Sequence, residues 1–397
     1  MGIPVVDELG RDLERAWQTA DYGLAAFPDL CGEMLGAARL HERLDPDDVV
    51  RAVFEGRLPE QSDLEARFGQ PPVTLFRGAR FHVSALHWVD GTTSIHDHAF
   101  SGAFVVLSGS SIETTFRFET ARDVDGHLRL GALGVLGSGL RRPGEVRPFA
   151  SGPGYIHSLF HLQRPTISLV VRTDVPRGAG VQLEYSPAGV AHDPFFREQR
   201  RDRTVQMVDM LRRTEHPRFE ALVGDLIAGA DLDTAFSVLR ACARFPDGDR
   251  VERLVGRVRD ADAAARLGAW LAHRRRIDFL LGRRALVHDA DLRFLLAVLL
   301  NAQRRADALD LVAAYGPGVE PARQAAAWLR LLAGTTMKLQ VGGTPFEPNV
   351  LGLPPFTDAG EQALGDLLAG RERTLTAEER AFLDRLRALP PLAALFS

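Results

Sequence analysis

Cysteine is nearly absent: Cys31 and Cys242 are the only two in 397 residues, and they lie far apart in the chain. So small a set excludes a disulfide framework and a cysteine-rich zinc site. Long apolar runs are missing too, and nothing approaches the roughly 18 consecutive residues of a membrane span. The opening stretch MGIPVVDELGRDLERAW carries acids early and has no apolar h-region, so no signal peptide is expected. Neither charge sign dominates, with 48 basic side chains against 52 acidic ones and a formal net charge of −4. That balance argues against a nucleic-acid-binding protein. No motif recurs at a fixed period, so no named repeat family is indicated. A cytoplasmic protein, with no nucleic-acid or membrane partner, is the expectation.

What is present reads as three zones. A chain of 397 residues exceeds one ordinary core, so two or three domains are expected. Residues 1–70 space apolar side chains three and four apart, as in VDELGRDLERAWQTA and DDVVRAVFEGRL, which predicts helices. Pro71-Pro72 breaks that pattern. Over 71–193 short apolar runs rich in Val, Thr, Phe and Ser alternate with Gly and Pro, among them RFHVSALHWV, GAFVVLSG, SIETTFRFE, HLRLGALGVL and TISLVVRTDV. Such a series predicts a small β-barrel or sandwich. Over 194–335 helical periodicity returns with many Ala, Leu and Arg residues, predicting a bundle or solenoid-like stack. Residues 336–397 hold a Pro/Gly-rich connector, VGGTPFEPNVLGLPPF, and a last helical segment. The fold class expected is α+β and multidomain: a β-barrel with N-terminal helices and an α-helical C-terminal half.

Seven of the twelve histidines fall between residues 82 and 161. His96-Asp97-His98 is either a metal-binding edge or a satisfied polar pair. On a strand, period-two alternation sends His96 and His98 to one face. Neutral imidazole is the commonest ligand for iron, copper, zinc and nickel. A third ligand must come from another strand, and GPGYIHSLFHLQRP supplies His157 about 60 residues later. There the glycines and Pro153 are expected to form a turn, with Tyr155, His157, Leu159 and His161 sharing a face of the following strand. Gly91, Gly109 and this Gly-x-x-His turn favour the metal edge.

These features resemble the cupin (jelly-roll) barrel: a glycine, a spacer, His-x-His and a later glycine, then a turn glycine before a third histidine. The run FHVSALHWVDGTTSIHDHAFSGAFVVLSGSSIETTF, with YIHSLFHLQRPTISLVVRT, is similar to the thiol dioxygenases, of which cysteine dioxygenase is best known. The resemblance spans residues 73–175. It implies Fe(II) held by His96, His98 and His157, with open positions for a substrate thiolate and O₂. Gly102-Ala103 stands where many cupins place a glutamate ligand, which agrees with a three-histidine centre.

The chain departs from that family at several positions. Ala103 replaces a cysteine that some members cross-link to a tyrosine, and Arg172 stands at the tyrosine's own position, so no thioether can form. The family's Ser-His-Tyr relay reads here Ser168, Val170 and Arg172. The resemblance implies a substrate-carboxylate arginine, a role that Arg77 or Arg80 could fill. Arg172 either points inward, where its guanidinium would bind an anionic group in two parallel bonds, or caps the rim. Tyr155 could donate to bound oxygen or be a core tyrosine. His161 either orients a ligand or is an ordinary polar residue. His82 and His87 have opposite strand parity, so at most one faces inward.

The leading functional reading is a mononuclear non-haem Fe(II) oxygenase that oxidises a metal-bound thiol or related amino-acid or peptide substrate with O₂. Tyr155, His161 and Arg172 are its candidate catalytic residues, and Arg77, Arg80, Arg172 and Ser168 its candidate substrate contacts. Two alternatives stay open: a cupin isomerase or hydrolase using Zn, Ni or Mn (Cu is a further candidate ion), and a metal or ligand sensor. The helical half could present a concave face to a protein partner or carrier, or lid the barrel mouth. Five arginines within Arg274–Arg284 read either as a solvated helix face or as a contact for an anionic partner.

Overall fold

Val6, Leu9, Leu13 and Trp17 recur at three- and four-residue steps and bury one stripe of helix α1, Pro4–Thr19. It leads into α2 (Phe27–Ala38), α3 (Leu40–Arg43) and α4 (Pro46–Phe54). Asp45 caps α4 by accepting from the Asp47 backbone N–H at 2.9 Å. The computed structural model describes residues 2–61, 68–89, 94–175, 180–243, 248–316, 318–336, 339–341, 344–346 and 349–397. The proposed motif glycine Gly91 lies outside them.

Strands follow as the alternating runs predict: β1 (Pro72–Arg77), β2 (Phe81–Trp88), β3 (Ile95–His98), β4 (Gly102–Ser108), β5 (Ser111–Asp123) and β6 (Leu128–Arg141). Next come β7 (Val146–Phe149), β8 (Gly152–His161), β9 (Thr166–Thr173), β10 (Glu184–Ser186) and β11 (Val190–His192). One sheet has the order β1-β2-β9-β4-β7, and a second, closed one has the order β10-β11-β6-β5-β8-β3. The five-stranded sheet uses strand alternation to serve two cores. Phe81, Val83, Ala85, Ala103, Val105, Leu169 and Val171 pack with Leu9, Leu13, Trp17, Phe27 and Leu35 of the N-terminal helices. The intervening residues Leu86, Trp88, Phe104 and Val170 turn the other way and join Phe100, Phe149 and Leu159 in a separate aromatic cluster. This is the α+β barrel architecture expected from the sequence.

Helices α5 (Gln199–Arg213), α6 (Phe219–Gly229), α7 (Leu232–Cys242), α8 (Gly248–Val255), α9 (Ala261–Ala285), α10 (Ala290–Asn301), α11 (Arg305–Tyr315) and α12 (Pro321–Gly334) follow the barrel strands. The Pro/Gly-rich connector holds the paired strands β12 (Leu339–Val341) and β13 (Thr344–Phe346), ahead of α13 (Asp358–Leu368), α14 (Ala377–Arg387) and α15 (Ala393–Phe396).

The chain divides into two compact units. The first comprises Met1–Thr115, Val135–Gly180 and Leu286–Ser397; the second comprises Phe116–Gly134 and Val181–Ala285. The division at Ala285/Leu286 falls inside the helical stretch 194–335. Within the second unit, Leu128 and Leu130 of β6 and Val190 of β11 share a core with Val208, Phe219, Val223, Phe236 and Leu267. Arg201 and Asp233 form a buried ion pair at 2.6 Å there. Cys31 and Cys242 are buried free thiols.

Two glycines have geometric reasons. Gly109 has φ +79° at the β4–β5 turn, a region that side-chain-bearing residues rarely adopt. Gly102 pairs with Arg172 across β4 and β9, and a Cβ there would lie 1.9 Å from the Val171 carbonyl oxygen. Gly102→Ala must therefore push β4 away from β9. The expected loss is about 1–3 kcal/mol, read as a lower denaturation midpoint at unchanged m-value.

Candidate metal centre

Alternation along β3 puts His96 and His98 on one side, and the β3–β8 register sets His157 directly opposite His96. The three rings stand 4.7, 5.0 and 5.0 Å apart by centroid. One nitrogen from each lies within 4.8 Å of the others, and all three residues are buried. Burial, reinforced by the nearby His157, lowers the His96 pKa to about 3. Burial and the neighbouring His96 hold His98 well below the usual imidazole range. Both rings are thus neutral, the form that binds metal.

A metal ion fits this set on two observations. His96 Nε2 and His98 Nδ1 are fully buried and make no hydrogen bond in the structure, which is costly unless something else takes those atoms. Two of the remaining nitrogens are already committed. His96 Nδ1 lies 2.7 Å from the Ser94 carbonyl and donates to it. His157 Nδ1 donates to Glu113 Oε1 at 3.2 Å, which leaves Nε2 as the lone-pair nitrogen.

Glu113, on β5, has no exposed side-chain surface. Its Oε1 also accepts from the Tyr155 hydroxyl. Its Oε2 takes Arg141 Nε at 2.6 Å and Arg147 Nε at 3.2 Å. Burial opposes its ionisation, but the His157 and Tyr155 hydrogen bonds and the Arg141 charge outweigh that and hold its pKa at about 2. The carboxylate orients a histidine without joining the ligand set.

A second chain runs along the inward faces of β2 and β9. Arg172 Nε donates to His82 Nε2 at 2.8 Å, and His82 Nδ1 lies 3.0 Å from Asp174 Oδ1. Burial and the adjoining Arg172 charge lower the His82 pKa, so His82 stays neutral and donates through Nδ1. The Arg172 guanidinium lies 4.6 Å from the Phe100 ring centre, and Phe100 in turn packs 5.0 Å from His98. Phe149 lies 4.6 Å from His98, and Phe104 lies 6.2 Å from His157.

The other sequence candidates have definite places. Ser168 is buried on β9, at the same parity as Val170 and Arg172. Arg77 lies 3.9 Å from Asp174, at the outer end of this second chain of groups. Arg80 stacks on Tyr22 of the N-terminal segment at 4.4 Å, and no contact with the histidines is seen among the described residues. Tyr155 spends its hydroxyl on Glu113. His161 stacks on Trp88 with ring centres 4.3 Å apart, and its Nδ1 meets Ser111 Oγ at 2.8 Å.

Two expectations change. Strand β8 begins at Gly152, so the glycines and Pro153 lie in the strand and the turn falls at Ala150–Ser151. Ala103 faces the helix-side core, away from the histidines; the inward position beside it is Gly102, where Val171 leaves no room for a side chain. The sequence reasoning left Glu113 without a role and passed over His82–Asp174. The signal for Glu113 was present: it is the lone acid in the run SIETTF, whose other residues are apolar or hydroxyl-bearing.

No family model matches the chain, and no curated protein does. Solved structures are similar over part of it. One is a hydroquinone 1,2-dioxygenase in complex with Cd²⁺ and 4-hydroxybenzonitrile, at 15% identity over 26% of this chain and 64% of that chain, TM-score 0.21. Another is a cupin-2 domain protein from Shewanella frigidimarina, at 11% identity over 34% of this chain and 99% of that chain, TM-score 0.20. A third is a cupin-superfamily sugar phosphate isomerase from Silicibacter pomeroyi, at 17% identity over 29% of this chain and 69% of that chain, TM-score 0.19. The chain spans less than two thirds of the first of these.

Glu113→Gln keeps the shape but removes the charge facing Arg141, Arg147 and the His157 N–H. Metal affinity should fall about 10–100-fold, measured by chelator competition. Unchanged affinity would show that the carboxylate plays no part in orienting His157.

Proposed function

We propose that this protein is a mononuclear non-haem Fe(II) oxygenase that converts a thiol to its sulfinate with O₂. The observation that carries the reading is a cluster of three buried histidines with no carboxylate among them, walled by Phe100, Phe104 and Phe149 and flanked by the Arg172 guanidinium. A ferrous ion held by His96, His98 and His157 would favour the thiolate form of the substrate and supply the one-electron chemistry that lets O₂ react. The stoichiometry closes without a further reductant. Sulfur gives up four electrons in passing from thiolate to sulfinate, and O₂ accepts four and contributes both oxygen atoms.

The chain's own residues do the positioning. Glu113 fixes the His157 tautomer, and the Ser94 carbonyl fixes that of His96. The aromatic wall lowers the local dielectric and keeps water out, which strengthens every charge interaction inside. Arg172, held by His82 and Asp174, presents a fixed positive charge suited to a carboxylate on the substrate. Arg172 thereby takes the clamp role first considered for Arg77 or Arg80. The substrate class favoured is a thiol that carries an anionic group.

Protein loaded with Fe(II) under anaerobic conditions should consume one O₂ per sulfinate formed, and only when a thiol is added. His96→Ala and His157→Ala should abolish metal retention. Arg172→Met should raise KM for a carboxylate-bearing thiol about tenfold or more while changing a neutral thiol little. Metal binding without O₂ uptake across a thiol panel would sink the oxygenase and favour an isomerase, hydrolase or sensor.

A further inference from the structure

Trp88 Nε1 and His161 Nε2 are buried polar atoms that make no hydrogen bond in the structure. The two residues are only 6% and 5% exposed. Their rings are stacked, with centres 4.3 Å apart and planes 11° from parallel, so the pair forms one rigid polar ledge. Ser111 Oγ at 2.8 Å occupies the other imidazole nitrogen and locks the ring's orientation. Leaving each such atom unpaired costs about 1–3 kcal/mol, and the two belong to rings in direct contact.

The ledge belongs to the interior that surrounds the histidines. Trp88 is part of the apolar cluster of Phe100, Phe104, Phe149 and Leu159. Phe68 bridges it to the metal centre, 5.1 Å from Trp88 and 6.0 Å from His96. His161 lies on the same face of β8 as His157, four residues on, which is about 13 Å of strand. A molecule that reaches the metal and the ledge together must therefore be several bonds long.

We propose that Trp88 and His161 form a second anchoring point for the substrate, one that takes a neutral amide group carried several bonds from the metal-binding sulfur. The indole N–H can only donate, so it pairs with the amide oxygen. His161 Nε2 donates or accepts according to which way the Ser111 hydroxyl turns, and an amide offers a partner for either. A carboxylate suits this position poorly, because no cation contacts the ledge among the described residues and burying an unpaired charge costs far more than burying an amide. Burial, with a smaller contribution from His157, also lowers the His161 pKa to about 3, so the ring adds no compensating charge. The two ends of the interior then select differently: Arg172 for an anion, and the ledge for a neutral group.

This inference rests on the oxygenase reading for the sulfur end of the ligand but not for the ledge, and its test separates the two. Protein labelled with ¹⁵N at indole nitrogen is loaded with Zn(II), and the Trp88 resonance is assigned from its loss in Trp88→Phe. A mercaptoalkanamide and the mercaptoalkanoate of equal length are then titrated in. The amide should shift the Trp88 indole proton downfield and the carboxylate should not. Trp88→Phe keeps the stacked ring and removes the donor; it should weaken the amide about tenfold by calorimetry, leave the carboxylate unchanged and retain full metal content. Ser111→Ala should weaken the amide to a lesser degree. If the amide leaves the Trp88 resonance in place, or Trp88→Phe weakens both ligands alike, the ledge is not a subsite. A shifted indole resonance in a protein that never consumes O₂ would support the ledge and remove the oxygenase.

Discussion

Glu113 is a carboxylate with no exposed side-chain surface, placed between a histidine of the candidate metal cluster and two arginines. Burying such an ion costs several kcal/mol unless donors fill its lone pairs. Four do, and they come from three other strands: Tyr155 and His157 on β8, Arg141 on β6 and Arg147 on β7. One side chain thereby fixes where these strands sit against β5. It also decides which nitrogen of His157 carries the proton. Strand register and ligand chemistry are in this way set by the same group, and neither can drift without leaving a charge unpaired in the interior.

The other two histidines are held by different means. His96 leans on a backbone carbonyl two residues away, so its orientation follows from the local path of β3. His98 makes no hydrogen bond through Nδ1 and is held by packing against Phe100 and Phe149. Phe100 is also the surface on which Arg172 rests, and Arg172 is steered by His82 and Asp174. The guanidinium and the ligand histidine therefore share an aromatic neighbour. A cation in the histidine cluster and an anion at Arg172 would be brought close without the two protein groups touching.

Much of this was legible in the sequence, for identifiable reasons. Period two in SIHDH put His96 and His98 on one face, and that needs no tertiary information. Alternation in FHVSALHW and TISLVVRT likewise showed strands, although these two carry apolar residues on both faces because helices cover the outer one. Parity could not say which face was which. Ala103, which stands where the resembling family keeps a cysteine, has its face of β4 covered by α1 and α2. Glu113, Arg141 and Arg147 were harder still. Arg141 and Arg147 lie 28 and 34 residues from Glu113 and meet it only where strands of the two sheets come together. The second chain of groups was half visible: strand parity allowed His82 to point inward, but nothing local links it to Asp174, 92 residues on.

The distribution of unsatisfied atoms distinguishes a site from an ordinary core. Among the described residues six buried side-chain nitrogens make no hydrogen bond, and four of them belong to Trp88, His96, His98 and His161. The charged groups of the same interior behave in the opposite way, since Glu113 is fully paired and Arg172 is tied to His82. A fold that merely tolerated polar residues would leave its failures scattered, and it would tolerate a charge least of all. Here the buried Glu113 carboxylate is satisfied from within the protein, while the neutral donors and acceptors are left for something else to meet. Two of those neutral atoms lie within the histidine cluster and suit a cation. The other two lie on a stacked indole and imidazole, where a cation would find one donor and one nitrogen of ambiguous role. The interior is thus divided by chemistry, with buried imidazole nitrogens that suit a cation in one part and unpaired neutral atoms on a stacked indole and imidazole in the other.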